Sequence, residues 1–148
     1  TFLSWQPHKN VDETKQLLID WIESYDKQDF YFWTIELKDS HELVGDISVV
    51  SLDEATESVE LGYGIGSRWG KGITAEAGRA LVKFFFEEVK VKRVYAKHAA
   101  CNPNSGSVMQ KMGMKKEGII RQSGTCNQGI VDEVYYSILR NEYFSNDN

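Results

Sequence analysis

Ser58-Val59-Glu60-Leu61-Gly62-Tyr63-Gly64-Ile65, followed by Gly66-Ser67-Arg68-Trp69-Gly70-Lys71-Gly72-Ile73-Thr74-Ala75-Glu76-Ala77, reads as a strand, a glycine loop and the start of a helix. In the first eight residues, period-two alternation sets Val59, Leu61 and Tyr63 on one face and Glu60, Gly62 and Gly64 on the other. From Thr74 onward Ala77, Leu81, Val82, Phe85 and Val89 recur at helical spacing, which predicts a helix over 74–89. A glycine-rich turn between a strand and a helix suits an anion, because glycine lets backbone N–H groups converge and the helix N-terminus adds partial positive charge. Two phosphate cradles are excluded by the residues themselves. A P-loop needs Ser or Thr after its Gly-Lys, where this chain has Gly72, and a leading glycine where it has Ile65. A dinucleotide fingerprint needs Gly-x-Gly-x-x-Gly with an acidic residue about twenty positions on, at the end of a second strand, and that combination does not occur.

Working outward, Asn10 can cap a helix over about 11–25, with Glu13 at the reciprocal capping position and Val11, Leu17, Leu18, Trp21 and Ile22 largely along one face. Residues 31–37 and 43–52 read as a hairpin around the polar turn Asp39-Ser40-His41. Beyond the central unit come a strand over 93–98, a short helix over 105–112 ended by Gly113, and strands over 116–123 and 129–139. The polar tail 141–148 is expected to fray. The order is α-β-β-β-α-β-α-β-β, without repeat or linker, so residues 1–148 are expected to form a single domain.

With 148 residues and 41% hydrophobic content the chain can bury a core without disulfides or metal. Its formal charge of -5 argues against nonspecific nucleic-acid binding, which needs a cationic surface, and favours a cationic small molecule or basic peptide. Cys101 and Cys126 have neither metal-ligand spacing nor a histidine cluster nearby, so free thiols are expected and no metal. No apolar run approaches the ~18 residues of a membrane span, and nothing reads as a signal peptide; a cytoplasmic protein is expected.

Three separated blocks carry a family resemblance. Glu60-Leu61-Gly62-Tyr63, then Trp69 to Ala77, then Asn102-Pro103-Asn104-Ser105-Gly106-Ser107-Val108-Met109-Gln110-Lys111-Met112-Gly113-Met114 with Glu117-Gly118, resemble the RimJ/RimL branch of the GNAT N-acetyltransferases, whose namesakes acetylate ribosomal proteins. The likeness runs from about residue 3 to about residue 140. It implies an α+β acyl-CoA N-acyltransferase fold, a mixed, mostly antiparallel twisted sheet with helices on both faces. The family opens with a further strand and helix, so the chain is expected to be N-terminally truncated and the intact protein longer. Were the native chain to begin at Thr1 instead, its open edge would need sealing by an added loop or a homodimer. Trp69 is usual for this branch, Thr74 replaces a commoner Gly or Ala, and the stretch from Tyr63 to Gly70 is about one residue short.

The resemblance also implies a site. Acetyl-CoA would lie in a V-shaped gap between the strands ending at Ile65 and His98, its pyrophosphate on the backbone amides of Trp69, Gly70, Lys71, Gly72, Ile73 and Thr74. Its pantetheine arm would pair with the backbone edge of Gly64 and Ile65, where an N–H could stabilise the oxyanion by roughly 3 kcal/mol. Lys71 would add long-range positive charge. An ammonium must lose a proton before its nitrogen attacks the thioester; Glu60 is the expected general base, directly or through water, with His98 as competitor. The tyrosine that protonates the leaving thiolate in many family members falls on Met109, which leaves Ser105 or a water as donor. Asn102 would bond the pantetheine amide; helix capping by Asn102 or Ser105 is the structural alternative. The expected reaction is acetyl transfer to a primary amine, a peptide N-terminal α-amine first, with a small amine (polyamine, amino acid or antibiotic) or a silent acetyl-CoA-binding module as alternatives.

Overall fold

Asn10 starts the first helix as its side chain predicts, accepting the N–H of Glu13 at 3.0 Å, while the Glu13 carboxylate accepts from Lys9 N–H at 2.8 Å, one residue before the reciprocal position. The computed structural model describes residues 8–27, 30–68 and 70–145. In order these form α1 (Val11–Ser24), β1 (Phe32–Glu36), β2 (Leu43–Asp53), β3 (Ser58–Ile65), α2 (Ile73–Phe84), a π-helical turn (Phe85–Val89), β4 (Arg93–Ala99), α3 (Pro103–Lys111), β5 (Lys115–Cys126), β6 (Gly129–Leu139) and α4 (Arg140–Ser145). The six strands make one sheet in the order β1-β2-β3-β4-β6-β5, antiparallel except for the β3–β4 pair.

Alternation decides which side chains meet the helices. Val59 and Leu61 of β3, Val94 and Ala96 of β4, and Val134, Tyr136 and Ile138 of β6 are buried together with Val82 of α2 and Met109 of α3. Trp33 of β1 meets Phe85 on this face at 6.5 Å between ring centroids. Its neighbour Phe32 points the other way, where Trp21 of α1 packs on it at 4.2 Å, so helices cover both faces. α2 and α3 approach closely because residue 78 is glycine: a Cβ there would clash with the Met112 side chain.

Four local features differ from expectation. The helix over 74–89 changes to a π turn at Phe85, with Lys90 N–H bonding Phe85 C=O, and the wider turn lets the consecutive Phe85 and Phe86 both bury. α3 begins two residues earlier than the apolar spacing suggests, because Pro103 has the φ of a first helical position and needs no N–H partner. β5 continues to Cys126, pairing with Gly129 across a two-residue connection. The tail is not frayed over 140–145: Tyr143 of α4 packs its ring tilted against Phe86 at 5.2 Å between centroids and donates its hydroxyl to Glu87 at 2.9 Å. Residues 146–148 lie outside the described residues.

Candidate active site

The parallel pairing of β3 with β4 covers only Ser58, Val59 and Glu60 against Arg93, Val94 and Tyr95. Beyond Glu60 the two strands separate while each keeps its other neighbour, Gly64 pairing with Asp46 of β2 and Ala99 with Glu133 of β6. Leu61 to Ile65 and Lys97 to Ala99 therefore turn backbone edges toward a cleft of about 530 Å³. Tyr63 crosses it, its hydroxyl donating to Ser105 C=O at 2.9 Å. Burial holds the Tyr63 phenol far above its ordinary range despite that bond, so it remains a neutral donor.

The glycine loop closes the wide end of the cleft. Gly66 N–H bonds Val44 C=O at 2.9 Å, and Arg68 grips Glu42 through Nε at 3.2 Å and a terminal nitrogen at 2.7 Å, tying the N-terminal side of the loop to the start of β2. The Arg68 hydrogen bond holds the Glu42 carboxyl below its usual range. Gly70 and Gly72 both have φ of +83°, and a Cβ at either would meet nothing within 4 Å, so these glycines serve a left-handed backbone beside open space. The helical ladder starts with Glu76 N–H on Gly72 C=O. The N–H groups of Ile73, Thr74 and Ala75 precede it and line the cleft, the arrangement that receives phosphate.

At the same cleft stand Gly64, Ile65, Gly70, Gly72, Ile73, Thr74, Asn102 and Ser105, eight of the expected cofactor residues. Lys71 is exposed and is not among the lining residues, and Trp69 lies outside the described residues. Asn102 is the N-cap of α3 but makes no capping bond with its side chain; its amide donates instead to Ser105 Oγ at 3.0 Å. That leaves the Ser105 hydroxyl proton free to point elsewhere. Met109 is 1% exposed in the core, with no proton to give.

The two candidate bases lie on opposite faces of the sheet. His98 faces α3 and is buried; its Nδ1 lies 2.8 Å from Ala99 C=O, and among the described residues its Nε2 has no partner. Residue 106 must be glycine to admit the ring, since a Cβ would stand 2.8 Å from Nε2 and 3.0 Å from the Tyr136 hydroxyl. Glu60 sits on the other face at the apex of the split, one residue before the cleft lining begins. Its carboxylate accepts from Tyr95 OH at 3.1 Å and Ser51 Oγ at 3.4 Å. Lys97 Nζ lies 3.7 Å from it and 3.6 Å from Glu133, bridging the two carboxylates. Burial opposes charge on Lys97, but Glu60 and Glu133 outweigh it and hold the ammonium above the ordinary lysine range. This triad joins β3, β4 and β6 and lay beyond sequence reading, because it depends on the register of three strands distant in the chain. Lys97 and Lys111 also line the cleft.

Among the described residues no group of His, Cys, Asp or Glu could hold a metal ion, and no helix is long and apolar enough to cross a membrane. Both cysteines are free.

The family model described as "Acetyltransferase (GNAT) domain" matches residues 1–115. YdaF of Bacillus subtilis (strain 168), provisionally described as a ribosomal N-acetyltransferase, is 37% identical over 102 residues, 68% of this chain and 56% of YdaF. The [ribosomal protein uS5]-alanine N-acetyltransferase of Escherichia coli (strain K12) is 29% identical over 122 residues, 77% of this chain and 62% of that protein. The chain thus spans roughly three fifths of these relatives' length. The microcin C7 self immunity acetyltransferase MccE, solved in complex with acetyl-CoA and AMP, shares the fold with a TM-score of 0.79 at 21% identity, over 88% of this chain and 72% of its own. By fold, by the split between its central strands and by the family match, the chain belongs to the GNAT acetyltransferases.

Proposed function

We propose that this chain carries the catalytic site of an N-acetyltransferase that moves an acetyl group from acetyl-CoA to a primary amine, with a protein or peptide N-terminal α-amine as acceptor. The split sheet carries the reading: two strand edges diverge from Glu60 toward three helix N–H groups at the far end of one cleft. The residues fit the cosubstrate. The amides at 70 to 74, with Ala75, offer donors for a pyrophosphate beside two glycines with open space over them. The edge at Gly64 and Ile65 offers main-chain pairing to an extended amide arm, and Asn102 retains an acceptor oxygen.

Acetyl-CoA supplies an activated thioester. Glu60 takes the ammonium proton from the acceptor, through water, because Tyr95, Ser51 and Lys97 already surround its oxygens. The amine nitrogen then bonds the acetyl carbon as the carbon–sulfur bond breaks; Ser105, with Asn102 on its oxygen, gives its proton to the departing sulfur and is reprotonated by the proton the nitrogen sheds on becoming the amide. The [ribosomal protein uS5]-alanine N-acetyltransferase, with YdaF provisionally described as a ribosomal N-acetyltransferase, supports a peptide acceptor. Thiol release from acetyl-CoA, measured with peptides and with small amines, tests the reading. Amine-dependent release is expected, greatest with a peptide N-terminus; absence of release with every amine would overturn it.

A further inference from the structure

Asp46 occupies β2 opposite Gly64, on the sheet face that also carries Thr34, Ser48 and Glu60. An ideal Cβ at Gly64 would stand 2.9 Å from Asp46 Oδ2, so the carboxylate rests directly on the backbone whose edge lines the cleft. Among the described residues it has neither a hydrogen bond nor an ion pair, and burial alone raises its pKa. A half-buried carboxylate without a partner costs folding free energy, and such groups concentrate at functional sites. Lys97, on the same face, is already held between Glu60 and Glu133. The half-buried carboxylate thus offers a free site to a cationic ligand group.

Resting on the acetyl-transfer reading above, we propose that Asp46 binds a second cationic group of the acceptor. Glu60 receives the reacting nitrogen at the apex of the split, and Gly64 lies four residues further along β3. At about 3.3 Å per residue, these four residues of strand set the two positions about 13 Å apart, and the water relay at Glu60 brings the reacting nitrogen nearer to Asp46. An alkyl diamine satisfies this spacing, and so does a peptide N-terminus with Lys or Arg among its first residues. A monoamine leaves Asp46 unpaired.

The test compares the wild-type protein with Asp46→Asn, which preserves shape and removes charge. Turnover is measured with 1,6-diaminohexane against hexylamine, and with peptides that differ only by Lys or Gln at the second residue. Binding of 1,6-diaminohexane and of acetyl-CoA is followed separately by calorimetry. The wild type is expected to prefer the dication in at least one pair by about tenfold in kcat/KM, through KM, and Asp46→Asn to erase the preference while acetyl-CoA affinity holds. The pair that responds distinguishes a small amine from a peptide. Equal preference in both proteins, or none in the wild type, overturns the proposal. Should no amine turn over, the acetyl-transfer reading fails; diamine binding lost in Asp46→Asn would then still sustain the Asp46 site, and unaltered binding would sink it.

Discussion

Replacing Glu60 by glutamine removes a proton acceptor and one arm of an ion triad, and the two effects separate by measurement. The glutamine oxygen can still accept from Tyr95 or Ser51, now at 3.1 and 3.4 Å, but the charge facing Lys97 at 3.7 Å is gone. At that distance and an effective dielectric of about 20 the gross attraction is about 4 kcal/mol, most of it offset by the desolvation that the neutral amide escapes. Lys97 also keeps Glu133 at 3.6 Å. A net loss of about 1 kcal/mol lowers Tm by about 2–4 °C in a chain of this size, whereas loss of a general base lowers turnover by roughly 10²–10⁴-fold. Thermal melts read the first loss and turnover at saturating cosubstrate from about pH 6 to 10 the second, while calorimetry is expected to find acetyl-CoA affinity unchanged. The catalytic deficit is expected to shrink toward the alkaline end, where an α-amine of pKa about 8 is already deprotonated. Lys97→Met supplies the structural control, with a similar Tm loss and a catalytic loss at least tenfold smaller. Turnover of Glu60→Gln near wild type throughout, or an equal deficit at both ends of the range, would refute the base role and move it to His98 or water.

Gly72→Ala places a methyl in open space at φ +83°, so strain of about 1 kcal/mol lowers Tm by about 2–4 °C, while a ligand bound there is obstructed; calorimetry is expected to show acetyl-CoA affinity reduced more than tenfold. Tyr63→Phe removes the 2.9 Å bridge to Ser105 and is expected to cost about 1 kcal/mol, read in denaturant melts. The folded pKa of Asp46 is raised above its ordinary 3.8, so the ionised side chain penalises the fold at neutral pH and the penalty fades as pH falls toward that value. Asp46→Asn is therefore expected to melt higher than wild type at pH 7, with the gap closing near pH 4.

The central unit was legible because its signals are local. Alternation set both ends of β3, and glycine at 70 and 72 marked a turn that needs positive φ. Eight of the ten expected cofactor residues line one cleft because the glycine loop and the start of α3 face the same split between β3 and β4, while Lys71 does not line it and Trp69 lies outside the described residues. Contacts between distant elements were not legible. The π turn answers a tertiary demand to bury Phe85 and Phe86 together, and α4 forms because Tyr143 finds Phe86 and Glu87. Residue 50 forms a bulge in β2 that shifts the register between Val49 and Ser51, bringing Ser51 opposite Glu60, and nothing in its own sequence announces it. Likewise, alternation separated Glu60 from Tyr63, but only the sheet register put His98 on the opposite face and Lys97 beside Glu60.

Amide NMR during titration with acetyl-CoA tests most directly whether the split between β3 and β4 receives it. The largest shifts are expected at Gly64, Ile65, Gly72, Ile73, Thr74, Ala75 and Asn102, which surround one cleft, with β5 and α4 unmoved. Shifts centred on another surface, or none at saturating acetyl-CoA, would contradict it.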